Sequence, residues 1–340
     1  MNQTPDPPAG SGSGRALGVA LAIVAGFAAA LQSRVNGTLA TETGTAFGTA
    51  ALSFGSGLVL LTLVLPFSRT GRSALAQVAA GLRRGGGAGG LRWWECLGGL
   101  GGAFYVMSQG LTVDALGVAV FTIALVAGQS VSSLVIDRMG LAPGGVRLVT
   151  VGRALGPVLT LVAVVVVSGA GATTAALGLA LFPLVAGVLQ SFQQALNGRV
   201  RAAVRPADST AGGRDGGVLA ATFVSFLVGT AALLVVFGVS IAVDGPPTGA
   251  LPTRLPADLL LYSGGLLGIV FIALQAAVVQ RIGVLLLGLG MIAGQVVGAL
   301  VLDVVSPAVG PPGAATYVGA ALTLVAVAVP LVEGALRRHA

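Results

Sequence analysis

The sequence predicts an all-α membrane protein whose ten transmembrane helices form two inverted five-helix repeats. Three observations predict this fold class: an apolar composition, ten apolar stretches of spanning length, and a central segment that recurs 166 residues later. Of the 340 residues, 55% are hydrophobic and only 9% are charged, and the mean hydropathy is +0.96. So little polar surface excludes a soluble globular protein.

The recurring segment runs over residues 116–137 and again over 282–303. The copies agree without a gap at nine positions, which are Gly117/Gly283, Val118/Val284, Ala127/Ala293, Gly128/Gly294, Gln129/Gln295, Val131/Val297, Leu134/Leu300, Val135/Val301 and Asp137/Asp303. Val and Leu matches carry little weight in apolar helices. The Ala-Gly-Gln triplet and the final Asp carry more, because Gln and Asp are costly to place in hydrocarbon.

The start of the chain combines a polar tail with an apolar helix. Residues 1–14 are rich in Pro, Gly and Ser, which predicts a disordered tail. The following stretch, 16–31, has features of a cleaved signal peptide. The duplication argues against cleavage, because four residues of this helix recur at an offset of 161. They are Gly26, Gln32, Asn36 and Gly37, matched by Gly187, Gln193, Asn197 and Gly198.

Ten spans follow when the chain is divided by the length of a membrane crossing. A hydrocarbon core of about 30 Å requires about 20 apolar residues in a helix. The first five spans are 16–35, 45–67, 93–113, 115–136 and 146–168, and the second five are 174–196, 217–243, 259–279, 282–302 and 313–332.

The arginines orient these spans. All 18 basic residues are Arg, and 15 of them lie at the termini or in the even-numbered loops. The odd-numbered loops carry only Arg34 and Arg254, while Arg153 falls inside the fifth span. Because cytoplasmic loops carry the excess of Arg, both termini are predicted to be cytoplasmic in a cell (inner) membrane. Because this placement accounts for the net charge of +7, the charge does not indicate binding to nucleic acid.

An odd number of spans in each half decides the relative orientation of the halves. If residues 15–168 and 174–336 each cross five times, the second half starts on the opposite side and the repeats are inverted. The match extends through the third and eighth spans, where Gln109 corresponds to Gln275 and Tyr105 to Phe271. Each of these spans contains Gly-x-x-x-Gly, at 98–102 and 264–268, which predicts close helix packing within the chain or in a homo-oligomer.

Several chemistries are excluded by residue counts. Cys96 is the only cysteine, so neither an intramolecular disulfide nor a thiolate metal cluster forms. His339, the only histidine, is predicted to be a solvated tail residue. No phosphate-binding loop of the Gly-x-x-x-x-Gly-Lys-Ser/Thr type occurs, so no nucleotide or other cofactor is predicted. An intramembrane enzyme would need a nucleophile and base at one depth, which the sequence does not offer.

Taken together, several of these motifs resemble a known family. Arg92-Trp93-Trp94 before a helix, the Gly-Gly-Leu-Gly-Gly run at 98–102, Leu116-Gly117-Val118, Ala127-Gly128-Gln129 and Asp137 resemble the YdcZ-like branch of the drug/metabolite transporter superfamily. The resemblance implies an inner-membrane exporter with about five spans per unit, here fused as two units. Small multidrug exporters of the wider superfamily use a glutamate in their first helix, and no acid lies in 16–35.

The paired amides are the first candidates for a substrate site. Gln129 and Gln295 each precede a helix-ending Asp by eight residues, about 12 Å along a helix. In inverted repeats they lie near the membrane midplane, where carriers commonly bind substrate. Each amide could instead bond a neighbouring helix. Tyr105, Gln109 and Gln275 are expected to line the same cavity.

A second group of candidates lies near the helix ends. Gln32 and Gln193 each share a helix face with an Asn four residues later and could line the two mouths, although Asn36 and Asn197 could simply end their helices. Glu95, beside Trp93 and Trp94, could attract a cation or pair with Arg92 at the headgroups. Asp137 and Asp303 are expected to be solvated helix ends.

These observations predict a secondary carrier or exporter of a small polar or cationic metabolite, working by alternating access within the lipid bilayer. The alternative is a non-transporting membrane scaffold or a lipid-handling membrane protein. Of the two, the carrier accounts for the internal amides and the inverted halves.

Overall fold

A computed structural model describes residues 12–86, 90–141, 151–169, 174–204, 216–254, 256–307 and 310–339. Some side chains within these ranges are not described, and they include those of Asp137, Arg153 and His339. The α-helices of the described chain are α1 (Gly12–Thr43), α2 (Ala46–Val64), α3 (Arg69–Arg84), α4 (Gly99–Met139), α5 (Val151–Gly169), α6 (Thr174–Ala202), α7 (Gly216–Asp244), α8 (Gly264–Val305) and α9 (Ala314–His339). Short 3-10 segments precede α3, α4 and α8.

Two helices extend further than the sequence predicted. Helix α1 begins at Gly12, so the predicted disordered tail is wrong for residues 12–14. The same helix continues past Asn36 to Thr43, and α6 continues past Asn197 to Ala202. The alternative in which the Asn-Gly pairs end their helices is therefore wrong, and both asparagines lie inside helices.

Six helical stretches of the described chain are long and apolar enough to cross a membrane. They are Ala16–Thr43, Ala46–Phe67, Trp93–Ile136, Gly178–Ala202, Gly216–Asp244 and Leu287–Val305. Three shorter apolar helices are Ala154–Val167, Gly264–Gln275 and Ala314–Val329. Helix α4 covers the predicted third and fourth spans, and α8 covers the eighth and ninth.

Helix α4 is broken in its middle at Gly117. A straight helix of its 41 residues would be about 60 Å long, roughly twice the thickness of the hydrocarbon core. Gly117 has φ 78° and ψ 160°, a conformation that residues with a β-carbon rarely adopt. The chain therefore leaves one helical segment before Gly117 and begins a second one at Val118.

A carboxylate from the other half of the chain caps the second segment of α4. Asp303, near the end of α8, accepts hydrogen bonds from the backbone N–H groups of Val118 at 3.0 Å and Ala119 at 2.7 Å. Asp303 is only 5% exposed. The prediction of a solvated Asp303 is wrong, because the first N–H groups of a helix have no partner within it and attract a negative charge.

Helices α1 and α8 cross where neither has a side chain. A β-carbon added at Gly26 would overlap the carbonyl oxygen of Met291, and one added at Gly294 would overlap that of Ile23. The two backbones are thus in direct contact. In a membrane, such close approach provides the van der Waals contact that drives helix association.

Helices α4 and α6 cross in the same way. Gly187 lies against the carbonyl oxygen of Leu125, and Gly128 lies against that of Leu184. All four residues are the repeat counterparts of the residues at the first crossing, at the offsets of 161 and 166. Each crossing joins a helix of residues 15–168 to a helix of residues 174–336, so the glycine of the repeated Ala-Gly-Gln triplet holds the halves together.

The Gly-x-x-x-Gly pairs also pack inside the chain. Gly98 and Gly102 lie against Asn197 and Gln193 of α6, and Gly264 and Gly268 lie against Asn36 and Gln32 of α1. Of the two interpretations that the sequence left open, close packing within the chain is confirmed for these glycines.

Helix α3 lies in the Arg-rich loop and was not predicted. Its residues Gly71, Ala74, Val78 and Gly81 are buried at a spacing of three or four, and the helix packs against α7. Its arginines are exposed. Such a one-sided helix is typical of a segment lying on a membrane surface.

We expect Gly294→Ala to destabilise the fold, because its methyl group would displace the backbone of α1. Overpacking of this kind costs about 1–3 kcal/mol of the free energy of unfolding. The matched control is Gly238→Ala in α7, where nothing lies within 4 Å of an added β-carbon. Thermal melting of the purified variants in detergent measures the difference, and equal melting temperatures would contradict the packing described for Gly294.

Asp303→Ala should also destabilise the protein, because two buried N–H groups lose their acceptor. Each unpaired buried group costs about 1–3 kcal/mol. Asp303→Asn should recover part of the loss, since its amide oxygen can accept one of the two bonds. Asp244→Ala, at the exposed end of α7, serves as the control, and a melting temperature for Asp303→Ala equal to that of this control would rule out the cap.

Candidate functional site

A cavity of about 450 Å³ lies among α1, α2, α4, α6, α7 and α8. Its volume is in the range of sites that bind small molecules. Side-chain amides are the most frequent polar groups in its wall: Gln32, Gln129, Gln190, Gln193, Gln194, Asn197, Gln275 and Gln295. Hydroxyl groups of Ser and Thr, aromatic rings, aliphatic side chains and glycines form the rest of the lining. The described cavity wall is therefore largely apolar, with amides as its main polar groups and little charge.

Six of the eight residues proposed from the sequence lie in the cavity wall. They are Gln32, Tyr105, Gln129, Gln193, Gln275 and Gln295. The paired glutamines of the duplication, Gln129 of α4 and Gln295 of α8, are both among them. The structure thus brings together residues separated by more than 250 positions in the chain, from Gln32 to Gln295.

Glu95 is not part of the cavity wall. Its carboxylate accepts the backbone N–H of Arg92 at 2.7 Å and lies 3.6 Å from the guanidinium of Arg199. Arg199 also donates to the carbonyl oxygens of Gly140 and Leu141 at the end of α4. Glu95 therefore pairs with the backbone of Arg92 and not with its side chain as predicted. Its charge is paired with Arg199, so Glu95 connects the start of α4 to α6.

Gln109 also lies outside the cavity wall, in a network that closes one end. Asn36 donates to its amide oxygen at 2.6 Å, and Gln109 donates in turn to the Ser33 hydroxyl at 2.9 Å. Ser33 lies 3.4 Å from the Tyr105 hydroxyl, which borders the cavity. Asn36 and Gln109 have no exposed surface. These four residues form the closed-end network.

The opposite end of the cavity reaches the ends of the helices. Gly198 and Arg201 in the last turns of α6 and Val218 in the first turn of α7 belong to its wall. The repeat counterparts of the closed-end network are Gln194, Asn197, Phe271 and Gln275, which we name the open-end set. All four line the cavity, and within the described chain no hydrogen bond joins them.

Three of the lining amides are held by the protein itself. Gln32 donates to the carbonyl oxygen of Gly264 at 2.8 Å, and Gln193 donates to the Ser225 hydroxyl at 3.0 Å. Gln129 donates to the side chain of Gln190. Gln295 differs, because it is 3% exposed and makes no hydrogen bond to any described residue.

Gln190 is the principal lining residue that the sequence analysis missed. It lies on the face of α6 that also carries Gln193, Gln194, Asn197 and Arg201, all at helical spacing. This repeating polar face within an apolar helix was the available signal. Gln190 was not predicted because its counterpart in the first half is Ala29, so it is not one of the polar residues that occur in both repeats.

The described chain is all helical, with long apolar helices around an amide-lined cavity, as is typical of a multi-pass membrane protein. The sequence model of a protein family described as "Putative inner membrane exporter, YdcZ" matches residues 17–166 and again 178–329. The chain belongs to this family of drug/metabolite transporter type, which implies a small-molecule substrate and a lipid environment and is not a class of enzyme.

Comparison with solved structures agrees on the fold. A structure described as "Crystal structure of protein" is 20% identical and superimposes with a TM-score of 0.51, covering 94% of this chain and 97% of that chain. At this identity the likeness shows the fold alone. No curated protein matches the chain.

The two cavity ends should differ in their access to water. We expect Gln275→Cys, made with Cys96→Ser, to react readily with a water-soluble maleimide because this position lines the cavity. Gln109→Cys, at the equivalent position of the other half, should react more slowly by on the order of tenfold, since the closed-end network must open first. Equal reaction rates for the detergent-purified variants would contradict the closed end.

Proposed function

We propose that the protein is a secondary carrier that exports a small polar molecule across the inner membrane by alternating access. The five-helix units 15–168 and 174–336 would be inverted repeats that rock around the cavity. Counting α4 as two crossings and adding the three shorter apolar helices gives ten, as the inverted arrangement requires. The glycine crossings support the same arrangement, because equivalent residues form both.

The arginine distribution supports an inward-facing state. The cavity reaches the last turns of α6, which carry Arg199 and Arg201, and the sequence between α6 and α7 adds Arg205 and Arg214. Loops rich in Arg lie on the cytoplasmic side, so the cavity would open to the cytoplasm with both termini on that side. The closed-end network would then seal the cavity from the external side.

One observation carries the mechanism: equivalent residues of the two halves are in opposite states. Asn36 and Gln109 are hydrogen-bonded and buried, while their counterparts Asn197 and Gln275 line the cavity without bonding each other. An inverted repeat can exchange these states between its halves. In the outward-facing state, Asn197 and Gln275 would bond and close the cytoplasmic end, and Asn36 and Gln109 would separate.

Such an exchange is energetically feasible because similar bonds are broken and formed. Loss of an amide pair leaves polar groups that the opened cavity hydrates, and formation of the equivalent pair compensates for it. The difference in free energy between the states can then be small enough for a bound molecule to shift it. The backbone contacts at the glycine crossings need not break if the halves rotate about them.

The test fixes the closed-end network with a chemical cross-link. In a Cys96→Ser background, Asn36→Cys and Gln109→Cys would be joined by a short bifunctional thiosulfonate after reconstitution into liposomes. We expect loss of flux for any member of a panel of organic cations, amino acids and small sugars that the uncross-linked protein moves, and recovery when a reductant cleaves the link.

The matched control is Ser73→Cys with Gln77→Cys, two residues in contact on the surface helix α3. Cross-linking this pair should leave flux unchanged, because α3 does not contribute to the cavity wall. Persistent flux through fully cross-linked 36/109 protein would contradict alternating access. Absence of flux for every panel member would favour the non-transporting scaffold or lipid-handling alternative.

A further inference from the structure

Gln295 is the most buried of the cavity-wall amides that make no hydrogen bond to a described residue. It is 97% buried, since only 3% of its surface is exposed, and it makes no hydrogen bond to any described residue. The side chain borders the cavity, so a molecule that enters the cavity can take the place of water as the hydrogen-bond partner of this amide.

The repeat counterpart of Gln295 is bonded differently. Its counterpart Gln129 bonds to Gln190 of α6. The residue of α1 equivalent to Gln190 is Ala29, whose methyl group can neither donate nor accept a hydrogen bond. The same amide therefore bonds a neighbouring helix in one half and faces the cavity without such a bond in the other.

The charge around Gln295 restricts the class of ligand. No carboxylate is present among the described lining residues, so a cation would find no counter-ion there. Arg201 is the one charged residue in that described wall. It follows Gln190 by eleven residues on α6, about 16 Å along the helix. None of the described lining residues neutralises a charge of either sign at the level of Gln295, and a buried charge without a partner is strongly disfavoured.

The donor and acceptor of the Gln295 amide restrict the class of ligand further. An amide presents a donor and an acceptor side by side, and its natural complement is another donor beside an acceptor. Carboxamides, ureas and lactam edges of heterocycles have this arrangement. The cavity wall also carries apolar side chains, among them Leu287, Met291 and Ile292 on α8 and Phe226 on α7, so the remainder of the ligand is expected to be apolar.

We propose that Gln295 recognises the substrate and that the substrate is an uncharged molecule with a carboxamide-like edge on a compact apolar body. This inference rests on the proposed function and narrows it, because the cationic substrates that the sequence left open are disfavoured. Gln129, paired with Gln190, has a supporting part in the wall, while Gln295 sets the preference for an uncharged ligand.

The test compares three probes of nearly equal shape: benzamide, which is uncharged, benzoate, an anion, and benzamidinium, a cation. Dissociation constants are measured by ligand-observed saturation-transfer NMR on the full-length protein in detergent. We expect wild type to bind benzamide more tightly than either ion by about tenfold or more, because each ion buries an unpaired charge. Binding of both ions as tight as that of benzamide, or no measurable binding of any probe, would overturn the substrate class.

Two variants separate recognition from a general effect on the fold. Gln295→Leu should weaken benzamide binding by about tenfold through loss of the amide contact, and Gln295→Glu, nearly the same size, should reverse the preference toward benzamidinium. Gln77→Leu on α3 is the control and should bind as wild type. Unchanged benzamide affinity in a folded Gln295→Leu protein, or an unchanged order of affinities in Gln295→Glu, would overturn the role of Gln295.

These measurements do not depend on flux, so the two proposals can fail separately. If benzamide binds as expected but the cross-linked and uncross-linked proteins move it equally, alternating access is wrong and the substrate class stands. If the cross-link blocks flux but benzamidinium is the preferred probe, the carrier stands and the substrate class is wrong.

Discussion

The contact between glycine backbones, where α1 crosses α8 and α4 crosses α6, is the constraint on which the rest of the structure depends. Gly26 and Gly294 form one crossing, and Gly128 and Gly187 form the other. Lipid offers apolar helices no hydrophobic reason to associate, so close packing must supply the attraction. Because each crossing joins the two repeats, the most extensive helix–helix contacts of the described chain lie between the halves. The glutamine that follows each repeated glycine is thereby brought to the cavity wall, and the site inherits its geometry from the packing.

The break at Gly117 adds a polar element to this apolar framework. The chain can turn there only if the exposed N–H groups of the next segment are satisfied, since lipid supplies no acceptor. Asp303 of the other half provides the acceptor. Its charge is thus used for structure and is not available to substrate. The same is true of Glu95, which Arg199 neutralises beside the end of α4, so these two buried acids stabilise helix ends.

Much of this arrangement could be predicted from the sequence, because duplication marks residues twice. The paired glutamines at 129 and 295 and the close-packed glycines were recognised for that reason. Features present in one half only were missed: Gln190 matches Ala29, and α3 lies in a loop whose counterpart has one arginine. The role of Asp303 was misjudged for another reason. An Asp at a helix end is normally solvated, and only the three-dimensional fold shows that another helix begins beside it.

The inexact match between the closed-end network and the open-end set has a consequence for the resting orientation of a carrier. Tyr105 and Ser33 extend the Asn36–Gln109 bond through their hydroxyls, whereas Tyr105 is replaced by Phe271, which has no hydrogen-bonding group, in the other half. In the proposed carrier, closure at Asn36 and Gln109 therefore gains a contact that closure at Asn197 and Gln275 cannot reproduce. An empty carrier with this imbalance would spend most of its cycle waiting with the open-end set accessible to cargo.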